Sequence, residues 1–231
     1  MAIPILMYHS ISNDKNDLSV SVENFEKQMK LMKNSGFETI YFNKLSNHKN
    51  KKKFIITFDD GYENLITNAL PILKKYNFTS TCFFIPKYIG KFNIWDEDKP
   101  NFKKLNLMNF DQIKLWVNEG MSVGSHTLSH KNLMELNYKD KINEIIDPLS
   151  IFSNKLSIKI DCFSYPYGRF DNESLNIVKE NYKFAVTTKR SRFKENKFNL
   201  YELPRVPINS NDNIFKFFVK INTIYEDLKF K

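Results

Sequence analysis

Short apolar runs and longer amphipathic stretches alternate along the whole chain. Runs rich in Ile, Val, Phe and Thr fall at residues 3–8, 38–41, 54–58, 79–85, 121–124, 161–165, 184–187 and 203–208, each of a length that suits a buried strand. Between them apolar residues recur at helical spacing. The first such stretch opens at Ser21, whose hydroxyl can accept a bond from an unpaired helix N–H. It carries Val22, Phe25, Met29 and Met32 on one face and stops at Gly36. A second opens near Asn109, contains Ile113, Leu115 and Trp116, and stops at Gly120. Further helical patterns cover 64–76, 139–152, 172–181 and 213–228, and Pro71 and Pro148, lacking an N–H, are expected to kink or split two of them. The last carries Phe215, Phe218, Ile221, Tyr225 and Leu228 among lysines and reads as a packed core helix in preference to one lying on a membrane.

Strand followed by helix, repeated six or seven times, requires crossover connections, so it argues for a mainly parallel sheet or an incomplete α/β barrel. In such folds chemistry gathers at the carboxyl ends of the strands. The 231 residues, 42% apolar, suffice for one sizeable core, and no repeat or Pro/Gly/Ser-rich linker divides them, so residues 1–231 read as a single domain. The lysine run 49–53 reads as a solvated loop, His48 beside it as surface, and residues 87–107 as a long surface insertion.

Charge narrows the partners only a little. Basic residues outnumber acidic ones by 35 to 26, a net +9, which suits a nucleic acid, an anionic glycan or a membrane surface. Only four residues are arginine, Arg169, Arg190, Arg192 and Arg205; sequence-reading proteins rely on arginine forks, so no nucleic-acid partner is expected, and much of the lysine reads as solvated surface. Cys82 and Cys162 are too few for a disulfide scaffold or a multi-cysteine metal site and read as buried packing. The opening residues lack a basic stretch before their short apolar run, and no apolar run approaches the roughly 20 residues that span a bilayer. A cytoplasmic location is the expectation.

Two places carry chemistry. The run Phe54-Ile55-Ile56-Thr57-Phe58-Asp59-Asp60-Gly61 delivers adjacent carboxylates to a strand end. Asp-Gly alone is turn chemistry, but two like charges side by side need a cation or a donor to offset their repulsion. Directly after another strand comes Ser125-His126-Thr127-Leu128-Ser129-His130, with imidazoles at i and i+4, a spacing that on a helical turn lets both bind one metal. Asp60 with His126 and His130 would form a facial set of three ligands, leaving positions open as catalytic metals require. Asp59 would then stand beside as general base for an attacking water, although spacing alone does not decide which carboxylate takes which role.

These motifs, followed by Tyr165-Pro166-Tyr167-Gly168, resemble in order and spacing the successive motifs of the polysaccharide deacetylase family, carbohydrate esterases of family 4 that remove N-acetyl groups from sugars. The resemblance covers nearly the whole chain. The opening Pro4-Ile5-Leu6-Met7-Tyr8-His9-Ser10-Ile11 and the late Leu203-Pro204-Arg205-Val206-Pro207 resemble the branch related to poly-N-acetylglucosamine deacetylases. The resemblance implies a distorted, incomplete (β/α) barrel of about seven strands. It further implies a divalent ion, usually zinc and sometimes cobalt or nickel, on Asp60, His126 and His130, with Asp59 as base and the Tyr167 backbone N–H at the oxyanion.

Two departures from the family pattern matter. Many members carry an arginine two positions before the proline of the third motif; here that position is Ser164, so Arg205, or else Arg169, is expected to supply the guanidinium that orients the base. The late Leu-x-His motif is absent, and no histidine follows His130; His9, at the end of the first strand, is the candidate general acid for the leaving amine. Trp95 and Asp96 are candidates for sugar contact, with ordinary packing an equal reading of Trp95. The expected substrate is an N-acetylated amino sugar in a glycan or glycan precursor, lipid- or nucleotide-linked in a cytoplasmic setting, with weak peripheral membrane association in keeping with the charge. A catalytically inactive glycan-binding module is the alternative. A two-carboxylate glycosidase ranks last, because adjacent strand residues point to opposite faces.

Overall fold

The computed structural model describes residues 2–14, 16–45, 52–100, 102–195 and 197–228. His48 and residues 49–51 of the lysine loop lie outside the described residues. In chain order the elements are β1 (Ile5–Tyr8), β2 (Ser10–Ile11), β3 (Ser19–Val20), α1 (Val22–Asn34), β4 (Glu38–Thr39), β5 (Lys53–Phe58), α2 (Leu70–Lys75), β6 (Thr81–Phe84), α3 (Phe110–Asn118), β7 (Ser122–Ser125), α4 (Tyr138–Leu156), β8 (Cys162–Ser164), α5 (Asn172–Asn181), β9 (Phe184–Arg190), β10 (Leu203–Pro207), α6 (Ile214–Asn222) and α7 (Tyr225–Leu228).

All eight predicted strands are present. Seven form a closed parallel ring in the order β1, β10, β9, β8, β7, β6, β5, with β5 pairing back to β1 and β4 added outside β5. The ring is distorted: the β9–β10 register shifts between Leu203 and Arg205, and β7 meets β8 through one residue pair, Ser125 with Phe163. The predicted barrel is therefore what the chain forms.

Alternation along the strands sorts side chains into two layers. Ile5, Ile55, Phe83, Cys162, Val186 and Leu203 pack together inside the ring, with Ile3, Phe42, Leu45 and Phe193 gathered at its amino end. The intervening residues, among them Leu6, Ile56, Phe58, Phe84, Phe163 and Val206, pack outward against Phe25 and Met29 of α1, Trp116 of α3, Phe152 of α4 and Phe217 of α6. Each such buried Leu, Ile or Phe contributes about 1.5–3 kcal/mol. Gly124 makes the inner layer possible, since a Cβ there would stand 2.3 Å from the Phe83 ring.

Ser21 caps α1 by accepting from the Asn24 N–H, and Asn109 and Gln112 form a reciprocal capping box on α3. Several helix boundaries differ from expectation. The 64–76 pattern begins as a π-helix over Leu65–Ala69 before α2, with Pro71 inside the first turn of α2, where its missing N–H is not needed. Pro148 does not split α4, which runs through it from Tyr138 to Leu156. The 213–228 pattern is two helices, because α6 ends with Thr223 as its cap. Within α6 the buried face is the one that carries Phe217, Lys220 and Ile221. Phe217 and Ile221 are buried, whereas Phe215, Phe218, Tyr225 and Leu228, expected in the core, are exposed, Phe215 at 71%. Cys82 and Cys162 are buried and unpaired, as expected. Among the described residues no helix is long and apolar enough to cross a membrane.

Candidate metal centre

The inward side of β5 reads Ile55, Thr57 and then, one step past the strand end, Asp59, whose N–H donates to the Tyr8 carbonyl at 3.0 Å. The chain then reverses hand. Asp60 has φ +73° and Gly61 φ +78°, so Asp60 does not continue the alternation to the outside. Gly61 also lies under Phe84, where a Cβ would come within 2.4 Å of a ring carbon.

The two histidines are joined by a turn, not by the helical turn that their spacing suggested. His126 extends β7, its N–H donating to the Phe84 carbonyl at 2.9 Å. Thr127 and His130 are left-handed at φ +62° and +61°, and the His130 N–H donates to Thr127 Oγ1 at 2.9 Å. Glu144 of α4 braces this loop from behind, accepting from the Ser129 N–H at 2.8 Å and from its hydroxyl, while the Glu144 carbonyl accepts from the Leu128 N–H at 2.9 Å. Sequence reasoning missed Glu144. Its signal was a charge in phase with the buried stripe of α4, four residues before Pro148 and three after Lys141.

Two turns and one strand end bring three side chains together. Asp60 Oδ1 lies 3.6 Å from His126 Nε2 and 3.5 Å from His130 Nε2, and the ligand atoms of the three all lie within 4.8 Å of one another. All three are buried, and among the described residues Asp60 Oδ1 has no hydrogen-bond partner. His126 Nδ1 meets the Ser164 carbonyl at 2.8 Å; only a protonated Nδ1 can donate to it, which leaves Nε2 bare toward Asp60 in the neutral ring. Burial pushes the Asp60 carboxyl well above its usual range, with Asp59 and Asp96 adding repulsion. Burial likewise lowers His126 and, more strongly, His130. A buried carboxylate oxygen without a donor among the described residues, facing the Nε2 atoms of two buried imidazoles, is costly for the chain alone and complementary to a divalent cation. The residues present therefore fit the ion.

Asp59 has the opposite environment. Arg205, fully buried on β10, donates Nη1 to Asp59 Oδ1 and Nη2 to Oδ2, both at 2.7 Å. The guanidinium is itself fixed by the Thr187 carbonyl at 3.0 Å and by the Thr57 and Ser164 hydroxyls at 3.2 Å, and it lies over the Phe83 ring at 5.9 Å. Burial alone would raise the Asp59 carboxyl, but Arg205 and His126 outweigh it and hold the group well below the usual carboxylate range. Arg205, and not Arg169, thus meets the acid doublet, and Ser164 accepts a bond from it.

His9 stands one residue beyond the Tyr8–Phe58 pair of the β1–β5 ladder, beside Asp59 at the same rim. Burial lowers its imidazole to about 4, against an upward pull from Asp59. Tyr167 is left-handed at φ +59°, in a turn pressed on β9: its carbonyl accepts from Thr188 Oγ1 at 3.3 Å, and a Cβ on Gly168 would meet that oxygen at 2.0 Å. Its ring lies against His130 at 4.8 Å. The 87–107 segment is an insertion that bends over the rim. Trp95 packs 4.8 Å from the His130 ring, and Asp96 lines a cleft of about 830 Å³ shared with Asn16, Asp17, Asn93, Lys99 and Asn211.

A family model described as polysaccharide deacetylase matches residues 46–184. The chain is similar to YxkH of Bacillus subtilis (strain 168), named for the same family, at 33% identity over 89% of this chain and 71% of that one. It is 28% identical to the poly-beta-1,6-N-acetyl-D-glucosamine N-deacetylase of Staphylococcus aureus, over 93% of this chain and 76% of that protein. Among solved structures it is similar to the Streptococcus pyogenes deacetylase PplD in complex with acetate, with a TM-score of 0.82, 27% identity, and coverage of 96% of this chain and 99% of that one.

Proposed function

The chain belongs to the polysaccharide deacetylase family, and from that premise we propose that it hydrolyses the N-acetyl group of an N-acetylated amino sugar in a glycan or glycan precursor. The reading rests above all on the unpartnered Asp60 Oδ1 facing His126 and His130, with an arginine-held carboxylate next to it. Asp60, His126 and His130 would hold the divalent ion, and zinc suits one oxygen and two nitrogen donors with open positions. When bound, the ion supplies Lewis acidity, lowering the pKa of a water and polarising the acetamide carbonyl.

The chain's own groups divide the remaining work. Asp59, kept ionised and aimed by Arg205, takes the proton from the attacking water. The Tyr167 N–H is assigned to the oxyanion that develops as water adds to the acetamide carbon, a donor of a kind worth about 3 kcal/mol. His9, neutral at rest, takes up a proton from solvent as negative charge builds beside it and passes it to the departing nitrogen, while the proton taken by Asp59 returns to solvent. The products are acetate and a free amino sugar. The net +9 charge favours a substrate that carries anionic groups, as lipid- and nucleotide-linked precursors do.

The test is acetate release from an N-acetylglucosamine oligomer by zinc-loaded protein. Wild type releases acetate, and Asp59→Asn and His9→Ala each lower the rate by roughly 10²- to 10⁴-fold with zinc still bound. Full activity in Asp59→Asn would overturn the base assignment. One zinc per chain with no hydrolysis of any amino sugar would favour a glycan-binding module instead.

A further inference from the structure

An imidazole that ligates a metal uses one nitrogen for the ion, and its other N–H is normally held by a carboxylate or carbonyl that sets the ring's orientation. His126 follows this rule through the Ser164 carbonyl. His130 does not, for its Nδ1 is buried and has no hydrogen-bond partner among the described residues. Its ring is enclosed by other rings instead. Trp95 lies 4.8 Å away, centroid to centroid, with the planes 35° apart, and Tyr167 lies at 4.8 Å and 69°.

Trp95 is itself firmly seated. It occupies the single 3-10 turn Ile94–Asp96 and packs on Tyr88 at 5.6 Å. The foot of the turn is tied across the insertion: the Leu105 N–H donates to Asn93 Oδ1 at 2.8 Å, and Asn93 Nδ2 donates to the Lys103 carbonyl at 3.1 Å. A tilted stack of this kind limits rotation of the imidazole about its Cβ–Cγ bond, which is what the missing hydrogen bond would otherwise do.

We propose that Trp95 is a positioning residue for the metal centre: its indole, carried on the insertion, takes the place of the absent hydrogen bond and holds His130 in its ligating orientation. The inference rests on the metal reading given above, and it gives the insertion a role that precedes any contact with sugar.

The experiment measures zinc affinity, without sugar, by competition with a chromophoric chelator, for wild type, Trp95→Ala, Trp95→Leu and Trp95→Phe, each checked for folding by circular dichroism. The Ala and Leu variants are expected to weaken zinc binding roughly 10- to 100-fold, and Phe, which restores a ring, to recover most of the loss. The Leu variant carries the test where the Ala variant does not fold. Affinity equal to wild type in folded Ala or Leu variants would overturn the proposal, as would a Phe variant as weak as Leu. A wild-type protein that binds no zinc would overturn the functional reading and this inference together, so the two failures are distinguishable.

Discussion

At the amino ends of the strands the barrel interior is filled by Ile5, Ile55, Phe83, Val186 and Leu203, none more than 1% exposed and none with a left-handed backbone. At the carboxyl ends the same alternation delivers Thr57, Asp59, His126, Ser164 and Arg205, and the loops beyond them break ordinary rules. Among the described residues six non-glycines have positive φ, and four of them, Asp60, Thr127, His130 and Tyr167, lie at this rim. The other two, Asn77 and Ser157, are at helix ends, where such geometry is common. One region is satisfied by the chain alone, while the other keeps strained backbone and unpaired polar atoms that a bound ion would satisfy. Stability therefore resides in the first region and chemistry in the second.

The comparison can be broken most forcefully where the two regions touch. Arg205→Met leaves Asp59 as a buried, uncompensated charge and is expected to cost about 3–5 kcal/mol in chemical denaturation. Removing the guanidinium also raises the Asp59 pKa, so activity should fall away at a higher pH than in wild type. An unchanged acid limb would separate Arg205 from the base. Deeper in the floor, Ile55→Ala should cost about 2–5 kcal/mol through the cavity it leaves, yet the folded fraction should keep its acetate release. A fall in turnover per folded molecule would show that the floor also tunes the chemistry.

A change at the rim should have the opposite sign. Asp60→Asn removes a carboxyl whose ionised form burial, Asp59 and Asp96 all disfavour, so the metal-free protein is expected to gain on the order of 1 kcal/mol while losing zinc binding. Destabilisation of the metal-free form would mean that the carboxylate is already satisfied. The smallest effect lies outside both regions, in the clasp between α4 and α5. Burial would raise the Asp171 carboxyl, but hydrogen bonds from Lys141 and Ser174 hold it at about 2, against 3.8 for a free side chain. Because the folded pKa is the lower one, this contribution is complete above pH 3.8 and is lost as pH falls toward 2. Thermal melts of Asp171→Asn should lack that component of the acid dependence.

Much of this was legible in the chain because it is local. Eight of the ten strands announce themselves by a short apolar run, the two-residue β2 and β3 being the exceptions, and Ser21, Gly36, Asn109 and Gly120 mark helix ends through their own backbone and capping preferences. The acid doublet and the histidine pair stood at strand ends where a parallel barrel collects them. Other features depend on contacts remote in sequence. Nothing local shows that His126 and His130 converge through two left-handed residues, since Thr and His seldom adopt that geometry without tertiary support. The pairing of Asp59 with Arg205 crosses 146 positions. The break at Thr223 was masked by apolar residues on both sides, which kept helical spacing apparent through it.

The central claim is a cation at the rim, and the most direct measurement is an anomalous difference map from crystals of the metal-free protein soaked in zinc. The account predicts one dominant peak within roughly 2.0–2.2 Å of Asp60 Oδ1, His126 Nε2 and His130 Nε2. A map with no peak at that position, or with zinc held by other residues alone, would contradict it.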